Sequence, residues 1–512
     1  MAASAVTSPA AVAAEPTARA DAGRRFAVVD IGSNSVRLVV YDGLRRSPLR
    51  LFDEKVTCKL GLGLARTQKL SRDGMARALA NLPRFVAVAR AMGAGTPEVL
   101  ATAAVREAEN GAAFVAEVER RCGVSVRVID GDEEARLAAL GLLSGIPTAD
   151  GAVGDLGGGS LELVALDRGT LGNRATLPLG PLRLIEGGGP PYDRARRLVD
   201  GHLAGLPWLA GQLRDRTFYA VGGAWRALAT IHMAQIDHPI RIVHHHVMSR
   251  KDAQGLAQRI SGLDPRAIKT IPEAPNDRLD TLPLAALTLE RLLKLAKPAQ
   301  VVFSANGLRE GLVFASLPEE ERREDPLLAA CAAIARETGR SADDGDALFA
   351  WTAPLFPSEP EDLARLRRAA CLIGEIGAEG HPRYRAEQAM RRVSRVPLSC
   401  LDHPSRAFLG LTALARYGGE ADEEPEAARL KTLLAAAEAR RARVLGLALR
   451  LGRTISGGAV EVLGDTELRP DGETLRLVLR GPAAAFDGEV VHRRLSQLAR
   501  ALDRRAALET DS

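Results

Sequence analysis

The sequence predicts an α/β protein with two similar lobes that face a cleft, followed by a mostly α-helical C-terminal region with a small α+β tail. Three observations predict this fold class. A glycine-rich hairpin motif occurs twice, strand and helix patterns alternate up to about residue 318, and Leu/Ala spacing typical of helices dominates from 319 onward. A chain of 512 residues is also too long for one core, and about three domains are expected.

The repeated motif joins two hairpins that lie 125 residues apart. Residues 28–42 and 153–167 are identical at seven of fifteen positions: Val28/Val153, Asp30/Asp155, Gly32/Gly157, Ser35/Ser160, Leu38/Leu163, Val39/Val164 and Asp42/Asp167. Each copy has a short Gly/Ser loop between two apolar runs, which predicts a strand, a tight turn and a second strand. We expect both loops to line the cleft between the lobes.

The remaining elements follow from the apolar patterns in order. In the first lobe, buried strands are predicted at 97–105 and 124–130, with helices near 71–92, 110–121 and 132–143. In the second lobe, strands are predicted at 218–223 and 300–307, with helices near 192–213, 224–235, 252–262 and 283–296. The tail is predicted to contain a hairpin around Pro470–Gly472 and a last helix near 488–505.

Composition narrows the class of protein. The five cysteines are scattered without a CxxC pair, which signals neither a disulfide framework nor a zinc site. We therefore expect a reducing, cytoplasmic location. No apolar run approaches the roughly 18 residues that span a bilayer, so no membrane association is expected. Residues 1–24 are rich in Ala, Pro, Ser and Thr and predict a disordered tail rather than a signal peptide.

Net charge and aromatic content indicate which kinds of partner the protein could bind. The pI is near 9.0 and the net charge is +5, which permits a polyanionic partner. Aromatic residues make up only 4% of the chain and do not interleave with basic stretches. Nucleic-acid binding by base stacking is therefore disfavoured.

The two loops resemble the phosphate-binding loops of the actin/sugar-kinase/Hsp70-like superfamily. DIGSNSVRL and DLGGGSLEL together resemble more specifically the exopolyphosphatase/guanosine-pentaphosphate phosphatase (Ppx/GppA) family, and the matches continue in order with ATAAVREAEN, IDGDEEARL, LPLGPLRL, YAVGGAWRALA and SANGLREG. The resemblance covers about 25–318. It implies two ribonuclease-H-like (actin-like) lobes, at 25–147 and 148–318, before a C-terminal domain at 319–512 whose tail begins at about 455.

The C-terminal region is similar to the helical HD-like domain of longer family members. The usual Leu-Leu-His-Glu-Ile-Gly pattern has Gly374 in place of the histidine, so we predict a degenerate domain without metal chemistry. Seven arginines in this region allow two interpretations: a solvated helix face or a basic channel that guides polyphosphate. They are Arg367, Arg368, Arg383, Arg385, Arg391, Arg392 and Arg395.

Glycine-rich loops can hold phosphate through backbone N–H groups, because no side chain blocks the approach. The alternative is that each loop is only a hairpin turn that binds no ligand. The match between the two loops makes this alternative less favoured. The predicted phosphate-binding residues of the two loops are Gly32, Ser33, Asn34, Ser35, Gly157, Gly158, Gly159 and Ser160.

Acidic residues beside a phosphate loop repel the substrate unless a cation lies between them. Asp30, Asp155 and Glu162 could supply oxygen ligands to Mg²⁺ or another divalent cation. The resemblance points mainly to Asp155 and Glu162, with Asp30 in support. The alternative for Glu162 is an outward-facing polar residue, since it alternates with two leucines.

Hydrolysis needs a base for the attacking water and cations for the transferred phosphate. The resemblance places a catalytic glutamate at Glu134, with Glu133 as the second choice, although acids in a first helical turn also suit the helix dipole. It places Arg106 near the terminal phosphate and, less strongly, Arg309 in NGLREG. The turn at 222–223 contacts a nucleotide in the wider superfamily, and here it either does so or only closes the lobe.

Three consecutive histidines, His244, His245 and His246, are interpreted as structural. Neighbours on a strand point to opposite faces, and no second ligand cluster accompanies them in the sequence.

The resemblance implies a hydrolase that releases terminal phosphate from inorganic polyphosphate or, alternatively, from guanosine pentaphosphate, and a homodimer. The basic C-terminal region favours polyphosphate. A kinase of the same superfamily is less favoured, because DIGSNS lacks the threonine typical of those enzymes. A chaperone-like or filament-forming protein is also less favoured, because the C-terminal region has no counterpart of a peptide-binding β-domain.

Overall fold

The computed structural model describes residues 24–187, 192–337 and 342–511. The predicted disordered tail lies outside these residues, apart from Arg24. Among the helices of the described part, none has both the length and the apolar character that a membrane span requires.

The first lobe is a five-stranded sheet covered by helices. Its strands lie in the order β3-β2-β1-β4-β5, with β1, β2 and β3 antiparallel and β1, β4 and β5 parallel. Its elements are β1 (Phe26–Ile31), β2 (Ser35–Tyr41), β3 (Arg50–Thr57), α1 (Leu64–Thr67), α2 (Arg72–Ala91), β4 (Glu98–Ala101), α3 (Ala103–Glu107), α4 (Gly111–Cys122), β5 (Val126–Val128) and α5 (Gly131–Gly145).

The second lobe is a six-stranded sheet in the order β10-β11-β9-β6-β7-β8. Its elements are β6 (Gly151–Leu156), β7 (Leu161–Asp167), β8 (Thr170–Leu177), α6 (Pro181–Leu184), α7 (Asp193–Ala204), α8 (Pro207–Leu213), β9 (Thr217–Val221), α9 (Gly223–Gln235), β10 (His246–Ser249), α10 (Arg250–Ser261), α11 (Pro265–Lys269), α12 (Leu282–Ala296), β11 (Gln300–Phe303) and α13 (Leu308–Ala315).

The two sheets share one topology. Strands β8-β7-β6-β9-β11 repeat the order and directions of β3-β2-β1-β4-β5, and β10 adds an antiparallel edge strand. The register repeats as well, because Asp30 faces Arg37 across the first hairpin and Asp155 faces Glu162 across the second. The sequence repeat therefore corresponds to two α/β lobes of the predicted kind.

The C-terminal region is helical and ends in a three-stranded sheet of order β12-β13-β14. Its elements are α14 (Glu319–Arg323), α15 (Pro326–Glu337), α16 (Ala342–Thr352), α17 (Glu361–Leu372), α18 (Arg385–Arg395), α19 (His403–Arg416), α20 (Pro425–Lys431), α21 (Ala436–Ser456), β12 (Thr466–Asp471), β13 (Thr474–Arg480), α22 (Glu489–Ala501) and β14 (Arg505–Asp511). Short 3₁₀ turns lie at Ile185–Gly187, Asn276–Arg278, Ala353–Leu355, Val460–Asp465 and Gly481–Phe486.

Three local predictions differ from the structure. The strand predicted at 97–105 ends at Ala101, because α3 begins two residues later. The helix predicted near 192–213 is two helices, and the second begins with Pro207 at a position where proline favours a helix start. Strand β14 was not predicted; it pairs in parallel with β13 after the crossover helix α22.

The lobes meet where α5 of the first packs on α13 of the second. Two glycines make this contact possible. A Cβ at Gly311 would overlap the carbonyl of Leu137, and a Cβ at Gly141 would overlap the carbonyl of Gly307. The two helix backbones therefore touch directly.

We expect Gly311→Ala to lower the free energy of unfolding by about 3 kcal/mol, because the added methyl forces the two backbones apart. Urea unfolding followed by circular dichroism measures this change. Gly255→Ala is the matched control: this glycine also lies within a helix, and its added Cβ would come no closer than 3.7 Å to the end of the Arg259 side chain. We expect the control to gain about 0.5–1 kcal/mol from its higher helix propensity. Equal effects in the two variants would contradict the proposed contact.

Candidate active site

The two hairpin loops meet at an open cleft between the lobes. Residues of both sheets line it. The first hairpin contributes Asp30 and the loop 32–35, the second contributes Asp155, Glu162 and the loop 157–160, and α5 contributes Glu134. The predicted site residues of these three elements therefore lie around one cleft.

The loops share one turn geometry. The N–H of Gly32 donates to the carbonyl of Ser35 at 3.0 Å, and the N–H of Gly157 donates to the carbonyl of Ser160 at 3.0 Å. Each loop closes a hairpin between antiparallel strands. The cleft position and matched geometry are what a paired phosphate clamp requires, and phosphate binding by these loops remains our prediction.

The glycine run of the second loop has a steric cause. A Cβ at Gly158 would lie 3.1 Å from the backbone nitrogen of Asn34, and one at Gly159 would lie 2.8 Å from the hydroxyl of Ser33. A Cβ at Gly157 would meet only the turn itself, 3.5 Å from the carbonyl of Ser160. Gly158 and Gly159 thus let the two loops touch.

Asp155, which is half-buried, and Glu162, which is buried, form a carboxylate pair. They are register partners on β6 and β7, so their side chains leave the same face of the sheet. Glu162 is only 2% exposed, so the outward-facing alternative is wrong. Burial raises the pKa of Asp155 to about 6 and raises that of Glu162 well above its ordinary value. Among the residues that the structure describes, Glu162 Oε1 has no hydrogen-bond partner. An unpartnered carboxylate oxygen beside a second carboxylate is a fitting pair of ligands for a divalent cation.

Asp30 has a different environment. Its Oδ2 accepts a hydrogen bond from Arg309 Nη1 at 2.9 Å. Burial raises the pKa of Asp30, against the opposing effect of Arg309. One oxygen of Asp30, a predicted metal ligand, is therefore already bound to Arg309, which was predicted to bind phosphate.

Glu310, the residue after Arg309 in α13, ties the start of this helix to the first lobe. Glu310 accepts hydrogen bonds from Tyr41 at 2.8 Å and from the N–H of Gly307 at 3.0 Å, and it forms an ion pair with Arg50. Burial raises the pKa of Glu310, but Arg50 and Arg309 outweigh it and bring the pKa to about 2. Glu310 is therefore ionised and fixes the start of α13 against the first lobe.

Glu134 and Arg106 form an ion pair beside the loops. Arg106 Nη1 donates to Glu134 Oε2 at 2.9 Å and to the carbonyl of Ile129 at 2.8 Å. Burial raises the pKa of Glu134 to about 7, against the opposing effect of Arg106. Glu133, the second choice, lies on the outer side of the same helical turn and binds Arg136 through both carboxylate oxygens, at 2.6 and 2.9 Å.

The cleft also holds cations that the sequence analysis did not single out: Arg37, Lys55, Arg226 and Arg278. Arg226 donates to the carbonyl of Ala305 at 2.9 Å, and burial lowers its pKa to about 10. In the described part of the chain, the Arg278 guanidinium has no hydrogen bond or ion pair; it lies over Gly223, where a Cβ would overlap it. Arg37 and Arg226 occur within the quoted motifs, whereas nothing in the sequence pointed to Lys55 or Arg278.

The fold and this geometry agree with comparisons to known proteins. The family model described as the Ppx/GppA phosphatase family matches residues 39–320, and the model described as "Exopolyphosphatase, C-terminal" matches residues 327–509. The chain belongs to the Ppx/GppA phosphatase family. It is accordingly a phosphatase, as the resemblance predicted.

Individual Ppx/GppA relatives are distant. Exopolyphosphatase 1 of Mycobacterium tuberculosis is 26% identical over 317 residues, which cover 58% of this chain and 89% of that protein. The crystal structure of an exopolyphosphatase from Cytophaga hutchinsonii superposes with a TM-score of 0.53 at 23% identity, over 57% of this chain and 97% of that one. An exopolyphosphatase-like protein gives a TM-score of 0.52 at 25% identity, over 57% and 96%. The two structures support the predicted lobes.

The arginines of the C-terminal region are mostly committed within it. Of the seven singled out in the sequence, six have side-chain hydrogen bonds to acids or carbonyls there: Arg367, Arg368, Arg385, Arg391, Arg392 and Arg395. Arg367 is buried against the ring of Phe349, 3.8 Å from its centroid. Arg367 is therefore part of the core of this region, whereas Arg368, Arg391 and Arg395 are ion-paired at its surface.

The buried carboxylates make the stability of this Ppx/GppA protein depend on pH. The folded pKa of Asp155 lies above its ordinary value, so its contribution to stability is present at low pH and is lost as pH rises to about 6. We expect Asp155→Asn to gain free energy of unfolding relative to wild type between pH 4.5 and 7.5, by about 2 kcal/mol. Urea unfolding in a chelator measures this gain.

Asp362→Asn, at an exposed position, is the control for this measurement. The difference in free energy of unfolding between this variant and wild type should be the same at pH 4.5 and at pH 7.5. A difference between Asp155→Asn and wild type that is the same at both pH values would contradict the burial of an ionisable Asp155.

Proposed function

We propose that this protein is an exopolyphosphatase, which hydrolyses the terminal phosphate from inorganic polyphosphate. The observation that carries the proposal is the distribution of charge along the cleft. Glu134, Asp155 and Glu162 interact with one another at one end. Beyond Asp155, four arginines interact with one another: Arg309, Arg226, Arg37 and Arg278. Asp30 pairs with Arg309 and Asp53 with Arg37, whereas Arg226 and Arg278 form no ion pair among the described residues. A chain of phosphates carries the complementary charge along its whole length.

The cleft lining also favours polyphosphate over guanosine pentaphosphate. Among the described residues that line it, none is Phe, Tyr or Trp. Stacking of a base on an aromatic ring contributes about 1–3 kcal/mol to binding, and this cleft offers no such ring for a guanine. The names of the curated relatives and of the C-terminal family model support the same choice.

Asp155 and Glu162 are the residues we propose as ligands of Mg²⁺ or a similar divalent cation, with the free oxygen of Asp30 in support. The fit rests on the unpartnered Glu162 oxygen and on the raised pKa values of these two carboxyls. A bound cation would supply charge neutralisation for the phosphate oxygens.

Glu134 is the group that we propose accepts the proton of the attacking water. A base works best when its pKa is near the working pH, and the pKa of Glu134 is about 7. Arg106 fixes the carboxylate by its 2.9 Å bond, and its remaining N–H groups can face the terminal phosphate. The loops 32–35 and 157–160 would present to the same phosphate those backbone N–H groups that the turn bonds of Gly32 and Gly157 leave free.

Parallel assays of phosphate release from long-chain polyphosphate and from guanosine pentaphosphate, with Mg²⁺, test the substrate. We expect kcat/KM to be at least about tenfold higher for polyphosphate, equivalent to about 1.4 kcal/mol.

Arg278→Gln should raise KM for polyphosphate with little change in kcat, because the free guanidinium lies away from the carboxylates. The exposed Arg266→Gln is the control. Preference for guanosine pentaphosphate would contradict the substrate, and release from neither would contradict the hydrolase.

Substitution of the proposed base tests the mechanism. We expect Glu134→Gln to lower kcat for polyphosphate by about 10²- to 10⁴-fold with KM nearly unchanged. Glu133→Gln, on the same helical turn but paired outward with Arg136, should retain activity. In wild type, kcat/KM should rise as pH increases through about 7, because Glu134 must be ionised to accept a proton. Full activity in Glu134→Gln would show that another group activates the water.

A further inference from the structure

A cluster of histidines lies where the second lobe meets the C-terminal region. Six of the nine histidines of the chain gather there: His232, His238, His244, His245, His246 and His403. Three of them, His238, His246 and His403, each offer one ring nitrogen to a common point, and these nitrogens all lie within 4.8 Å of one another. In the sequence only His244, His245 and His246 stand together. The fold brings the rings of His238 and His403 close to His246.

Two of these rings have their outer nitrogen bound to a backbone carbonyl. His403 Nε2 lies 2.9 Å from the carbonyl of Ile242, and His238 Nδ1 lies 2.8 Å from the carbonyl of Ile240. A carbonyl only accepts, so His403 Nε2 carries its ring proton and His403 Nδ1 is unprotonated. His238 Nδ1 lies between the carbonyl of Ile240 and the N–H of Ile240, which donates to it at 3.1 Å. Metal binding requires the tautomer in which His238 Nδ1 donates to the carbonyl, and His238 Nε2 is then an unprotonated nitrogen 3.4 Å from His403 Nδ1.

The third ring has an inner nitrogen without a partner. His246 Nε2 lies 2.9 Å from His232 Nδ1, whereas His246 Nδ1 has no hydrogen-bond partner among residues 24–187, 192–337 and 342–511. The side chain is 1% exposed, so water does not satisfy this atom from the surface. Buried polar atoms are normally partnered, and an exception calls for a missing ligand or ion.

We propose that His238, His246 and His403 bind a divalent transition metal of the zinc type. Zinc–nitrogen bonds of about 2.1 Å in a tetrahedral site place two ligand nitrogens about 3.4 Å apart, which is the separation of the His238 and His403 nitrogens. Outer N–H groups bound to carbonyls are the usual support of metal-binding imidazoles. His238 is half-buried, which leaves access for the ion and for a water molecule as fourth ligand.

The rings are in the state that binds metal. Burial lowers the pKa of His246 to about 3 and that of His403 to about 4, and it lowers the pKa of His238 as well. All three are therefore neutral at pH 7, and neutral imidazole is the ligand form.

The position of the site suggests its role. His238 follows α9 and His246 begins β10 in the second lobe, whereas His403 begins α19 in the C-terminal region. Next to the site, His244 Nε2 contacts the carbonyl of Ser399 at 2.6 Å, and its Nδ1 accepts from the N–H of Ala305 at 3.0 Å. The metal would therefore fasten the C-terminal region beside the loop that leads to Arg309. This inference is independent of the proposed substrate.

Co²⁺ and Zn²⁺ binding to the full chain, with excess Mg²⁺ to occupy oxygen ligands in the cleft, tests the site. We expect wild type to bind about one equivalent of Zn²⁺ by equilibrium dialysis and to give the visible absorption of tetrahedral Co²⁺. His238→Gln should weaken Zn²⁺ binding at least tenfold and abolish that absorption. Its half-buried position makes this change tolerable for folding, and circular dichroism without metal verifies the fold. His403→Gln is the second variant.

His245→Asn is the matched control. His245 belongs to the same segment and, like His246, has a buried ring nitrogen without a partner among the described residues, but it packs on His244 and is not one of the three converging rings. Its φ of +62° is one that asparagine adopts. We expect this variant to bind Zn²⁺ as wild type does. The proposal is overturned if wild type binds no Zn²⁺, if His238→Gln and His403→Gln both bind it as tightly as wild type, or if His245→Asn loses as much affinity as they do.

Discussion

Direct contact between two glycine-rich loops is the constraint on which the site depends. The loops belong to equivalent hairpins of two similar sheets, and they meet because Gly158 and Gly159 present no side chain to Ser33 and Asn34. The contact fixes how far apart the two sheets can stand at this end of the cleft. That distance in turn sets the spacing between the carboxylates Asp155 and Glu162 of the second lobe and the pair Arg106–Glu134 of the first.

Duplication of the hairpin has produced two unequal halves. Arg37 and Glu162 occupy the same place in the two copies, opposite Asp30 and Asp155 respectively. In the first copy the aspartate faces an arginine across the hairpin, and in the second it faces another acid. Both halves therefore keep the same backbone turn but carry opposite charge at this position: Arg37 pairs with Asp53 on β3, whereas Glu162 interacts with the acidic groups Glu134 and Asp155. A single change of charge sign at an equivalent strand position accounts for most of this difference.

Local signals explain what the sequence could predict. The repeated loops, the strand–helix alternation and the motif order were sufficient for the two lobes and for the position of Glu134, since each depends on neighbours in the chain. Residues that reach the cleft from separate elements were missed, because Lys55 on β3 and Arg278 in a 3₁₀ turn carry no local pattern. Strand β14 was missed for a related reason: it is partly exposed and lacks the apolar alternation of a half-buried strand. The histidine cluster depends on a ring contributed 157 residues after His246, a separation that no spacing rule covers.

The glycine contact between α5 and α13 has a consequence for motion. Helix α5 begins with the turn that carries Glu134, and α13 begins with Arg309. Because the two backbones touch at Gly141 and Gly311, neither helix can slide along the other without a clash. Any opening of the cleft must therefore pivot about this pair of helices. The separation between Glu134 and Arg309 would stay nearly constant during such a pivot, whereas opening of the cleft at Lys55 would have to break its ion pair with Asp277, which spans the two lobes at 2.6 Å.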